Sequence, residues 1–221
     1  MMHHFFVNFK TYEEGTGEKA LKLAKLLSTF SDGQVQIIPV VQAVDLRMVA
    51  SGVSLKVFAQ HSDPVSFGSN TGMILSEAIR EAGAVGTVLN HAENKRDNDF
   101  VKRAVKRCSE AGLKVMLCAE SVSRAKQLAA FSPDFIAVEP PELIGGDVSV
   151  SSAKPALISD SVKAIKAVDK RVKVITGAGI KTGADVSKAI ELGCHGVFVA
   201  SGVVCSGDRE KSVKELLSGF P

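Results

Sequence analysis

Short apolar runs rich in Val, Ile and Phe alternate along the chain with longer segments in which apolar residues recur every three or four positions. The runs fall at 5–8, 35–40, 56–60, 87–89, 114–118, 135–138, 173–176 and 196–199 and predict eight strands. Strands that read as unbroken apolar runs are covered on both faces, as parallel strands joined by helices are. The intervening segments carry helical spacing: Ala20, Leu23, Ala24 and Leu27 in the first, Phe100, Val101, Ala104, Val105 and Cys108 in the fourth, Val162, Ile165 and Val168 in the sixth. Asp97 is placed to cap the fourth helix and Gly112 to end it, and Thr182 and Gly193 do the same for the seventh. The unit is therefore strand then helix. Eight such units in 221 residues predict an α/β fold, a (β/α)8 barrel forming a single domain over 1–221, near the lower end of that fold's size range. A doubly wound open sheet is the alternative, but no G-x-G-x-x-G follows the first strand to support it.

Composition narrows the picture. A content of 45% hydrophobic and 23% charged residues suits one large core. The apolar runs are far shorter than the roughly eighteen residues of a membrane span, and the amino terminus lacks the cationic start and long apolar core of a secretory signal, so the expected location is cytoplasmic, with no membrane partner. A net charge of +3 with a pI near 8.6 is too slight and too dispersed for nucleic acid, yet it favours a small anionic substrate. Cys108, Cys118, Cys194 and Cys205 form no C-x-x-C pair, so free thiols are expected, mostly buried, with neither disulfides nor zinc.

In a barrel the residues just after each strand converge on one face, which turns scattered motifs into neighbours. Asn8 and Lys10 follow the first strand, Asn90, His91 and Glu93 the fourth, and Glu139 the sixth. The seventh leads into Gly177-Ala178-Gly179 and the eighth into Ala200-Ser201-Gly202. Alone, Glu139 would read as a surface carboxylate and His91 as structural. The Pro140-Pro141 and Gly145-Gly146 pairs after Glu139 and the convergence of the other groups favour chemistry instead. Glu142 has left the strand and reads as an exposed residue. His3, His4 and His195 lack such context and read as solvated or structural.

Asn8-Phe9-Lys10, Leu89-Asn90-His91, the run from Val138-Glu139-Pro140-Pro141 through Glu142-Leu143-Ile144-Gly145, Gly177-Ala178-Gly179-Ile180 and Ala200-Ser201-Gly202-Val203 together closely resemble triosephosphate isomerase of the short archaeal type, in order along the whole chain. The resemblance implies interconversion of dihydroxyacetone phosphate and D-glyceraldehyde 3-phosphate through an enediolate, in glycolysis and gluconeogenesis, with no cofactor and no metal. It implies Glu139 as proton acceptor, His91 as electrophile and Lys10 as the electrostatic group, positioned by Asn8. Glu93 has a supporting role, as an ion pair or a proton relay. Substrate contacts would come from Asn8, Lys10, Gly179, Ala200 and Ser201, with Ile144 and Gly145 supplied by a lid over 140–151. A short helical turn at Ala92-Glu93-Asn94 would aim its amides at the imidazole and favour the neutral ring. The long polar loop from Gln60 to Gly72 corresponds to one that reaches the neighbouring subunit, so a homodimer is the minimum and a homotetramer is expected.

Two positions depart from the family pattern. Gly145-Gly146-Asp147 stands where the family usually has Thr or Ser between two glycines, and Asp147 is expected to turn away from the phosphate and cap the far end of the lid. Ala92 stands where Ser often follows the histidine. Another phosphate-binding barrel enzyme would share the glycine turns without needing Lys10, His91 and Glu139 together. A barrel that only binds a metabolite or protein would not need them either.

Overall fold

The computed structural model describes residues 2–31, 33–144, 146 and 149–221. Eight parallel strands, β1 His3–Asn8, β2 Val35–Val41, β3 Phe58–Ala59, β4 Gly86–Leu89, β5 Lys114–Ala119, β6 Phe135–Val138, β7 Lys173–Gly177 and β8 Gly196–Val199, follow one another around a closed barrel. Closure is made by β8 on β1, with Phe5 opposite Val197 and Val7 opposite Val199. The open-sheet alternative is thereby excluded. β3 is shorter than the 56–60 expected, although Gln60 N–H donates to the Val41 carbonyl at 3.1 Å and Val85 N–H to the Val57 carbonyl at 2.9 Å on either side of it.

The helices are α1 Gly17–Ser28, α2 Leu46–Gly52, α3 Ser76–Glu81, α4 Asn98–Glu110, α5 Val122–Ala129, α6 Val150–Ala153, α7 Pro155–Val168, α8 Gly183–Glu191, α9 Ser201–Val204 and α10 Arg209–Leu217. The predicted stripes of α1 and α4 are buried, except that Phe100 is only partly so. α7 buries Ile158, Ser161 and Ile165, while Val162 is half-buried and Val168 exposed. The two stripes share Ile165, and the one anchored on Ile158 is the one that meets the core. Asp97 accepts from Phe100 N–H at the start of α4, Thr182 and Asp185 form a reciprocal cap on α8, and Gly112 and Gly193 take the positive φ values that end α4 and α8.

Side chains alternate across each strand, so every second residue points to the barrel axis. That interior is filled by Phe6, Ile38, Val40, Phe58, Val88, Met116, Cys118, Phe135, Ala137, Ile175 and Phe198. Phe6 contacts Phe58 and Phe135 edge to face at 5.4 and 5.2 Å between centroids, which plugs the middle of the barrel. One step further along these columns lie Asn8, Asn90, Glu139, Gly177 and Ala200. The packed layer is thus the floor of the site above it.

His4 closes the opposite end of the barrel. It is buried, and its Nε2 faces Lys173 Nζ at 3.3 Å while Nδ1 faces the His195 carbonyl at 3.4 Å. An ammonium only donates, so Nε2 accepts and the proton sits on Nδ1, the arrangement of a neutral ring. Burial, reinforced by the Lys173 charge, holds His4 down at about 4 against an ordinary 6.5. Burial and Lys166 do the same for His195, also at about 4. The unfolded chain takes up these protons below 6.5 and the folded chain only near 4, so stability is intact above 6.5 and is lost as pH falls towards 4. His4 alone contributes a loss of roughly 3 kcal/mol across that window. Melting temperature should fall steeply between pH 6.5 and 4 and less steeply in His4→Gln; parallel slopes for the two proteins would contradict this role.

Candidate active site

At the carboxyl ends of the strands a cleft is lined by Asn8, Lys10, His91, Glu139, Ile144 and Gly179, together with Ala200 and Ser201. Residues from the ends of β1, β4, β6, β7 and β8 therefore meet in one place. Gly145 and Asp147 lie outside the described residues, as does any capping by Asp147; Ser149 caps α6, its side chain accepting from Ser151 N–H.

Lys10 follows β1 in a left-handed conformation, φ 46°, which an L residue adopts only when its surroundings fix it. Asn8 and Gln60 fix it here. Lys10 N–H donates to Asn8 Oδ1 at 3.0 Å, and Gln60 Nε2 donates to the Lys10 carbonyl at 2.9 Å. The Lys10 ammonium then meets Glu93 Oε1 at 2.6 Å. The contact is an ion pair. Glu93 itself is 59% exposed, so its pull on Lys10 is moderated by water.

Asn90 also has a positive φ, 60°, and is tied down by donating from Nδ2 to the Cys118 carbonyl at 2.9 Å and accepting from Arg96 N–H at 3.0 Å. That turn delivers His91 to the cleft. Ala92–Asn94 form a short helical turn, and Glu93 N–H donates to His91 Nδ1 at 3.2 Å. Accepting at Nδ1 is open only to an imidazole without a proton there, which leaves Nε2–H to point into the site. The ring thus faces Glu139 across the cleft, with Nε2 3.9 Å from Oε2.

Glu139 is 6% exposed, and its Oε2 has no hydrogen-bond partner among the described residues. Burial raises its pKa above the ordinary glutamate value, against the lowering effects of a hydrogen bond with Cys118 and the Lys10 charge. A carboxylate that burial desolvates is a stronger base than one in water. Cys118 lies beside it, and burial together with the Glu139 charge keeps that thiol well above its usual pKa. The double proline sets the path away from Glu139: Pro141–Leu143 make a single tight turn, and exposed Glu142 pairs with Lys154. Gly146 N–H donates to the Leu143 carbonyl at 3.1 Å, and Val150 N–H to the Ala178 carbonyl at 3.1 Å, which ties the far end of this segment to the loop after β7.

Ala178 and Gly179, both at positive φ, and the Ala200-Ser201 step before α9 form the opposite wall. Tyr12, Lys181 and Phe198 also line the cleft and carry no motif that would mark them in the sequence. Gln60 could have been found, since it stands two residues beyond Phe58 in an interior column. Among the described residues no group of three or more His, Cys, Asp or Glu is placed to hold a metal. No described helix is long and apolar enough to cross a membrane.

The family model for triosephosphate isomerase matches residues 4–216. The chain is 46% identical over 213 residues to a triosephosphate isomerase of Methanothermus fervidus, covering 96% of each chain. It is 42% identical over 212 residues to that of Methanocaldococcus jannaschii, with 96% and 97% covered, and 44% identical over 212 residues to that of Archaeoglobus fulgidus, with 96% and 95% covered. With eight strand-helix units closed into a barrel and similarity of this extent to archaeal enzymes, the chain belongs to the triosephosphate isomerase family.

Proposed function

We propose that the chain interconverts dihydroxyacetone phosphate and D-glyceraldehyde 3-phosphate by moving a proton between adjacent carbons through an enediolate. The observation that carries this reading is the pairing of a buried Glu139, its Oε2 without a partner among the described residues, with an imidazole that points Nε2 into the same cleft, beside the Lys10 cation. Glu139 takes the proton from the carbon next to the carbonyl, and its raised pKa suits it to that weak acid. His91 donates from Nε2 to the oxygen where negative charge develops. Lys10 stabilises the enediolate and attracts the phosphate, with Glu93 and Asn8 keeping it in place.

The phosphate rests against the main chain of Gly179, Ala200 and Ser201, where glycine and small residues let the backbone approach. Ile144 and Gly145 complete the enclosure and keep water from the enediolate. The reaction needs no cofactor and no metal on this reading. The whole of 1–221 acts as one domain, in the cytoplasm.

Val44, 84% exposed on the loop after β2, and Phe67 and Met73, 76% and 55% exposed on the loop after β3, favour a homo-oligomer. The second loop is therefore less polar than its sequence suggests. A second copy of the chain covers these residues in a homodimer, and paired dimers make a tetramer. A coupled assay on glyceraldehyde 3-phosphate with sedimentation analysis tests both points. Turnover by a dimer or tetramer is expected; a folded oligomer with no turnover overturns the isomerase reading, and an active monomer overturns the oligomer.

A further inference from the structure

Glu139 is bounded on two sides. Its Oε2 faces His91, and its Oε1 lies against Gly177, the last residue of β7. A Cβ on Gly177 would stand 2.5 Å from Glu139 Oε1, 3.0 Å from Glu139 Cδ and 2.8 Å from the Phe198 carbonyl oxygen. Gly177 is not one of the glycines at positive φ, so its backbone does not call for glycine. The space does. From these contacts, and resting on the isomerase reading above, we propose that Gly177 is a positioning residue that gives the Glu139 carboxylate its place opposite His91.

The neighbours show which side must yield. Gly177 pairs with Phe198 in the barrel ladder, so the Phe198 carbonyl is held by the sheet. Thr176 Oγ1 donates to the Val138 carbonyl at 3.2 Å, which fixes the spacing of β7 from β6 just before Gly177 meets Glu139. The Glu139 side chain, by contrast, turns about single bonds. A methyl on residue 177 therefore displaces the carboxylate by an appreciable fraction of 1 Å, and misplacement near 1 Å costs on the order of a hundredfold in rate.

Gly177→Ala is expected to lower kcat by about a hundredfold while changing KM by less than about threefold, because the phosphate contacts lie elsewhere. Glu139→Asp draws the carboxylate back by one methylene, away from residue 177. The double variant Gly177→Ala/Glu139→Asp should then be no slower than the slower single variant, whereas multiplied losses would overturn the proposal. A second cycle needs no turnover, so it stands apart from the isomerase reading. The drop in melting temperature caused by Gly177→Ala should shrink when Glu139→Ala removes the carboxylate. An equal drop in both backgrounds would put the clash at the Phe198 carbonyl and overturn the proposal. If Gly177→Ala alone does not fold, recovery of folding in Gly177→Ala/Glu139→Ala supports it and failure of that double variant overturns it.

Discussion

Glu139→Gln is expected to lower kcat by about 10²- to 10⁴-fold, the range that a positioned proton acceptor contributes. The amide keeps the shape of the carboxylate and its packing against Gly177, but it cannot take a proton from carbon. The same substitution should make the protein more stable. Burial raises the pKa of Glu139, so the folded state holds its proton more tightly than the unfolded chain does. Stability is therefore lost as pH rises through the folded value, where a buried charge forms whose Oε2 has no partner among the described residues. Removing that charge should raise the melting temperature wherever the wild-type carboxylate is ionised in the folded state. Kinetics and a thermal melt on one preparation check both halves. A variant that loses activity and also melts lower would mean that the carboxylate serves the fold.

Lys10→Met should lower kcat/KM by about 10³-fold or more, through both parameters. Loss of one preorganised donor to a developing oxyanion costs about 10²- to 10³-fold in kcat. Loss of the cation that draws in a phosphate dianion raises KM on top of that, and the ionic-strength dependence of kcat/KM should flatten accordingly. The fold should tolerate the change, because the strained turn is held through the Lys10 main chain by Asn8 and Gln60, and Glu93 is left facing water. Steady-state kinetics at two salt concentrations with a melt control would check this. An unaltered salt dependence would show that Lys10 does not steer substrate.

What the sequence reveals follows the barrel's columns. Asn8 and Glu139 stand two positions beyond interior residues, Phe6 and Ala137, so an apolar run ending in a polar residue marks the site directly. His91 and Lys10 are one and two positions further on, and their placement depends on backbone turns with positive φ at Asn90 and Lys10 that no residue type announces. Glu93 reads from the sequence as ion pair or relay, and its 2.6 Å contact with Lys10 comes from two loops that the sequence does not bring together. Gly177 looked like part of a phosphate turn, and only the position of Glu139 Oε1 gives it a second role. The exposed faces of Phe67 and Met73 were hidden in a segment dominated by Ser, Gly and Asn. Helix α7 misleads for a simpler reason: Val162 and Val168 keep the right spacing, but the core lies under Ile158.

The central claim is that Glu139 moves a proton to and from carbon. It is tested most directly by incubating dihydroxyacetone phosphate with the protein in deuterium oxide and following the carbon-bound hydrogens by NMR. The wild-type protein should introduce deuterium at the reacting carbons as it forms glyceraldehyde 3-phosphate, and Glu139→Gln should introduce it at least about 10²-fold more slowly. Isomerisation without any deuterium entering either compound, or exchange at the wild-type rate in Glu139→Gln, would contradict the account.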